Sequence, residues 1–140
     1  MKRMAEDARK WYERALRDLS TAEDLMRTKH YPDVCFYAQQ IAEKALKAFL
    51  RANGIRIKGH DLVRLLRVAE RYGFDMSDID IDSVRELSRQ YLAPRYPNFE
   101  EEAGIGPEYY TENLARSCLT VAADILRRVG SWLRSRGIID

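Results

Sequence analysis

Tyr37-Ala38-Gln39-Gln40-Ile41-Ala42-Glu43-Lys44-Ala45-Leu46-Lys47-Ala48-Phe49-Leu50 is the stretch that decides the fold. At about 100° per residue, Val34, Tyr37, Ala38, Ile41, Ala42, Ala45, Leu46, Ala48 and Phe49 cover roughly half of a helix circumference. An apolar arc that wide cannot be buried by one neighbour, so it predicts a helix at the centre of a bundle. Gln40, Lys44, Lys47 and Arg51 fall in one narrow sector on the other side. The helix is expected from about Pro32, since proline suits a first turn, to Ala52. Asn53-Gly54 stops it.

Upstream, Ala8, Tyr12, Ala15, Leu19, Ala22 and Met26 keep helical spacing over about Met4 to Thr28, and Trp11, Leu16 and Leu25 widen the stripe. His30-Tyr31-Pro32 separates this helix from the next. Downstream, Asp61 is placed to cap a third helix through Tyr72, closed by Gly73, with Leu62, Leu65, Leu66 and Ala69 inward. Ser83 and Glu86 have capping-box spacing for a fourth helix, about Asp82 to Leu92, burying Val84, Leu87, Ser88 and Tyr91. Residues 93–107 hold three prolines and two glycines and predict an irregular loop. A last helix, about Glu108 to Arg134, directs Leu114, Cys118, Val121, Ile125, Val129 and Trp132 inward. No strand-like alternation appears. The expectation is an all-α fold: an antiparallel up-and-down helical bundle of three long and two shorter helices, with residues 1–140 as one domain.

At 140 residues such a core needs no metal or disulfide staple. No run of 18 apolar residues exists to span a membrane, and the charged N-terminus enters a helical pattern directly, so no membrane association and a cytoplasmic location are expected. A net charge of +2 with 33% charged residues describes a solvated surface and not a strongly basic nucleic-acid binder. Cys35 and Cys118 fall among apolar neighbours and read as plain buried thiols.

Three segments carry candidate chemistry. The Gln40, Lys44, Lys47, Arg51 sector projects three cations and an amide from one face, suited to phosphate; a solvated stripe interleaved with Glu43 is the competing reading. His60-Asp61 stands at a loop-to-helix boundary, where free backbone amides favour an anion; Asp61 as a cap and His60 as a loop anchor would explain it equally well. Ala93-Pro94-Arg95-Tyr96-Pro97, close to Tyr91, joins an arginine to an aromatic ring in a stiff loop, suited to phosphate pairing and base stacking. The alternative is Arg95 paired with a carboxylate and Tyr96 packed on the bundle end. The two histidines and two cysteines lack metal-ligand spacing, so neither a metal site nor a cofactor is expected. Carboxylate runs such as Glu100-Glu101-Glu102 read as solvated loop.

In order and spacing, the phrase Ala38 to Lys47, then His60-Asp61-Leu62, then Arg95-Tyr96-Pro97 resembles the HEPN domain family over about residues 7–133. The resemblance implies a helical bundle, often a homodimer, frequently beside a small nucleotidyltransferase partner in a toxin–antitoxin-like pair. With the chemistry of the three segments, the expectation is a nucleotide or other phosphate ligand at Gln40, Lys44, Lys47, His60, Asp61, Tyr91, Arg95 and Tyr96. Many members are RNA-cleaving toxins with an arginine, four to six residues, then a histidine. Here Leu25, Asp24 and Glu23 precede His30 at those places, and Ile55, Gly54 and Asn53 precede His60. The motif is absent, so no catalytic residue is carried over, and the expectation is a ligand-binding protein without its own reaction. A divergent metal-independent ribonuclease joining Arg95 and His60 in space, and a pure protein-interaction module, are the alternatives.

Overall fold

The computed structural model describes residues 2–97, 101 and 107–140. Among them, five α-helices follow one another and no strand occurs: α1 (Lys2–Arg27), α2 (Tyr31–Ala52), α3 (Leu62–Arg71), α4 (Ile81–Arg89) and α5 (Glu112–Ser135). A 3-10 turn, Pro107–Tyr109, precedes α5. The fold is the all-α antiparallel bundle that the periodicity predicts, with α1, α2 and α5 long and α3 and α4 short.

The broad apolar arc of α2 dictates the packing. Helix α1 lies along one side of α2 and α5 along another, while α3 and α4 pack on each other and on α2. Ile41, Leu46, Phe49 and Leu50 are fully or almost fully buried at this centre. Phe49 meets Phe74 edge-on at 5.4 Å and Trp132 of α5 at 4.6 Å. On α1, Leu16 stays 43% exposed, so it does not widen the buried stripe as the spacing predicts.

The helix ends show local sequence at work. Gly54 takes φ +75° after α2. Its N–H reaches the carbonyl of Arg51, and Ile55 N–H reaches that of Leu50, the double bond of a Schellman ending. Gly73 closes α3 in the same way through Glu70 and Ala69. Asp61 caps α3 as expected, accepting from the N–H groups of Val63 and Arg64.

Two starts differ from expectation. Helix α4 begins at Ile81 because Asp80, not Ser83, is the cap: it accepts from Asp82 N–H at 3.2 Å, and Ser83 Oγ donates to its other oxygen. Helix α5 begins at Glu112, where the Thr111 hydroxyl accepts from Leu114 N–H at 3.1 Å. The separate turn before it leaves Tyr110 buried, with its hydroxyl donating to Gln90 Oε1. Gln90 is therefore the buried residue at the end of α4, and Tyr91 is only half-buried. Of the run Glu100-Glu101-Glu102, Glu100 and Glu102 lie outside the described residues.

Cys35 and Cys118 are buried free thiols. Hydrogen bonding with Cys118, then burial, holds the Cys35 thiol far above its ordinary range, so it stays protonated and a poor nucleophile. No described helix is long and apolar enough to cross a membrane.

Candidate functional site

The site is built where the start of α3 meets the end of α4. Capping by Asp61 fixes the first turn of α3, and Leu62 N–H donates to Ser88 Oγ of α4 at 3.0 Å. This brings His60, the residue just before the cap, against Tyr91, just past the end of α4. Their rings stack at 3.7 Å between centroids, with 12° between planes.

Helix α2 holds His60 at two points. Gln39 Nε2 donates to the His60 carbonyl at 3.1 Å, and His60 Nδ1 lies 2.9 Å from Glu43 Oε1. Gln39 is supported by Gln40, whose Nε2 donates to its side-chain oxygen at 2.7 Å. Glu43 is only 4% exposed, and its other oxygen accepts from Lys47 Nζ at 3.0 Å. A carboxylate at Nδ1 places the imidazole proton there, leaving Nε2 available to a ligand.

Arg95 completes the cluster. Its Nε donates to the Tyr91 carbonyl at 2.9 Å, and its guanidinium lies 4.6 Å from the Tyr91 ring, 4.8 Å from Phe36 and 5.4 Å from Tyr96. A half-open cavity of about 270 Å³ adjoins the stacked His60 and Tyr91 rings, lined also by Asp61, Ser88, Arg89, Leu92 and Ala93. Imidazole, stacked aromatic ring and guanidinium in one place can grip a phosphate and face a base. No described buried side-chain polar atom lacks a hydrogen-bond partner. No group of three His, Cys, Asp or Glu able to hold a metal ion occurs among the described residues.

The structure thus gathers His60, Asp61, Tyr91, Arg95 and Tyr96, with Gln40 reaching them through Gln39 and Lys47 through Glu43. It does not gather Lys44. The polar sector of α2 faces α1 and not open solvent, so Lys44 Nζ pairs with Asp18 at 2.6 Å and Arg51 with Asp7 at 3.4 Å. Lys47 lies over the Trp11 ring at 5.4 Å. Lys44, expected among the ligand-binding residues with His60 and Arg95, is therefore turned to α1 and away from them. Sequence reading also passed over Gln39, Glu43, Phe36 and Arg89. The i,i+4 steps from Gln39 to Glu43 to Lys47 are a usable signal, but a solvated stripe shows the same spacing.

Known proteins share both the sequence pattern and the fold. A family model for the HEPN domain matches residues 8–132. A Methanocaldococcus jannaschii protein named "Putative toxin MJ1304" is 29% identical over 137 residues, covering 92% of this chain and 90% of its own length. The crystal structure of TT1696 from Thermus thermophilus superposes with a TM-score of 0.72 at 31% identity, covering 89% of this chain and 97% of that one. ST0689, described as an archaeal HEPN homologue, gives a TM-score of 0.69 at 32% identity, covering 91% and 98%.

Proposed function

The chain belongs to the HEPN domain family, and from that premise we propose that it is the HEPN member of a toxin–antitoxin-like pair. In this reading it binds a nucleotide or similar phosphate-bearing ligand at the His60–Tyr91–Arg95 cleft, without a reaction of its own, and associates with a small nucleotidyltransferase. The observation that carries the ligand reading is the fixed stack: His60 is pinned by Glu43, lies flat on Tyr91, and shares that ring with Arg95. A pre-positioned imidazole and guanidinium avoid most of the ordering cost of binding an anion. The name of the M. jannaschii relative supports the toxin side.

A thermal-shift titration with ATP tests the ligand. At a concentration 100 times Kd, stabilisation of about 2.7 kcal/mol is expected, a rise of several degrees in Tm, and both His60→Ala and Arg95→Ala should remove it. Wild type unmoved by millimolar nucleotides would end this half of the proposal. Co-purification of a nucleotidyltransferase with the tagged chain tests the other half.

One observation favours a second reading. Glu43 orients His60 as a carboxylate orients a general base, and Arg95, 35 positions further along the chain, lies against the same ring. Arrangements of this kind serve metal-independent RNA cleavage, with arginine stabilising the charged phosphorane. RNA incubated with wild type in excess EDTA should then be cut, and His60→Ala should leave it intact. Intact RNA with wild type would discard this reading.

A further inference from the structure

A separate feature lies on the outer face of α1. Lys10, Trp11 and Arg14, together with Lys44 of α2, line a cavity of about 340 Å³ that the His60 cleft does not use. Lys10 and Arg14 are exposed, one turn apart on the same face, and neither makes an ion pair among the described residues. Arg3 and Arg17 fall within the same sector of about 60° on the helix; both are exposed and without an ion pair among the described residues.

This contrasts with the cations beneath. Lys44, Lys47 and Arg51 are each matched by a carboxylate, Asp18, Glu43 and Asp7 in turn. Arg56 shares Asp7. The inner acids therefore neutralise the α1–α2 seam and leave the outer ridge positive. Exposed Glu6 and Glu13 flank this ridge without ion pairs among the described residues and offset its four cations only in part.

Beside the ridge is the half-buried indole of Trp11, with Lys47 and Arg51 each 5.4 Å from its ring centroid. A row of cations beside the accessible part of an aromatic ring is a way proteins hold single-stranded nucleic acid: phosphates follow the cations and a base lies on the ring. A peptide of Asp and Glu would use the charges but brings no aromatic ring for the indole.

We propose that this face of α1 is a second binding site, for a single-stranded phosphodiester chain whose phosphates engage Lys10 and Arg14 and whose base stacks on Trp11. Lys44, held in place by Asp18, closes the far wall of the cavity. The site is independent of the ligand reading given for the His60 cleft. A mononucleotide reports on that cleft, and the salt dependence of an oligonucleotide that persists in His60→Ala reports on the ridge.

The test is a fluorescence-anisotropy salt titration with labelled oligouridylate and the whole chain. Each phosphate contact on a single strand contributes about 0.7 to the slope of log K against log salt. Lys10→Gln/Arg14→Gln should therefore lower the slope by about 1.4 and weaken low-salt binding about tenfold. Both side chains are exposed and unpaired, so the variant should melt like wild type. Trp11→Leu should weaken binding with the slope unchanged, and Trp11→Phe, which keeps a stacking face, should restore most of it. In a His60→Ala background, where the cleft is disabled, the double variant should still lower the slope by the same amount. Equal slopes for wild type and the double variant would overturn the proposal. So would competition in which polyglutamate displaces the oligonucleotide from wild type but Trp11→Leu binds as wild type does.

Discussion

Glu43→Ala should lower stability by about 3–5 kcal/mol, the usual cost of removing one partner from a buried ion pair. Glu43 is hydrogen-bonded to three neighbours at once: Lys47 at 3.0 Å, His60 at 2.9 Å and Gln39 at 3.1 Å. The side chains of Glu43 and Lys47 are 5% and 11% exposed, so the ammonium left behind cannot regain full hydration. Its other contact, the Trp11 ring 5.4 Å away, is no anionic partner. For a chain of this length the loss corresponds to roughly 10 °C or more in Tm, readable by thermal or urea denaturation. A paired replacement, Glu43→Leu/Lys47→Met, removes both charges together and should recover most of the stability, because apolar groups of similar volume often match a buried pair. It should not recover ATP binding, since His60 would still lack its Nδ1 partner. Glu43→Ala within about 1 kcal/mol of wild type would show that the cluster is solvated and that His60 is not held as described.

Phe49→Ala should cost a comparable 3–5 kcal/mol, by a different mechanism. Phe49 has no exposed surface, and its ring meets Phe74 after α3 and Trp132 of α5. Truncation removes apolar area and leaves a cavity between three elements that cannot all collapse inward. Phe49→Leu keeps most of the volume and should lose markedly less. Urea unfolding separates the two: the midpoint should fall with the slope unchanged. A small loss for Phe49→Ala would mean that α2 is not the packed centre of the bundle.

These two side chains also mark what could be read in advance. Phe49 belongs to an apolar arc recognisable from spacing alone, since burial on a helix depends on a period set by the backbone. Helix ends were legible where one residue type carries the conformation, as at Gly54, Gly73 and Asp61. They were misplaced where a nearer or later cap takes over: Asp80 pre-empts Ser83, and Thr111 caps a helix expected from about Glu108. Glu43 was legible only as a charged residue near the edge of the arc. Nothing local separates it from a solvated glutamate, because one of its hydrogen-bond partners, His60, comes from the far end of the α2–α3 loop.

Sequence by itself determined the helical class, the central place of α2, and the family to which the chain belongs. All three rest on local periodicity and on short ordered phrases such as Ala38 to Lys47. Tertiary structure alone decided which charges meet. It set Lys44 against Asp18 and Arg51 against Asp7, and it laid His60 and Arg95 against the one ring of Tyr91. The physical reason is range. A helix's apolar face is fixed within a few turns, whereas the partner of a charge depends on which helix packs opposite and at what height along it.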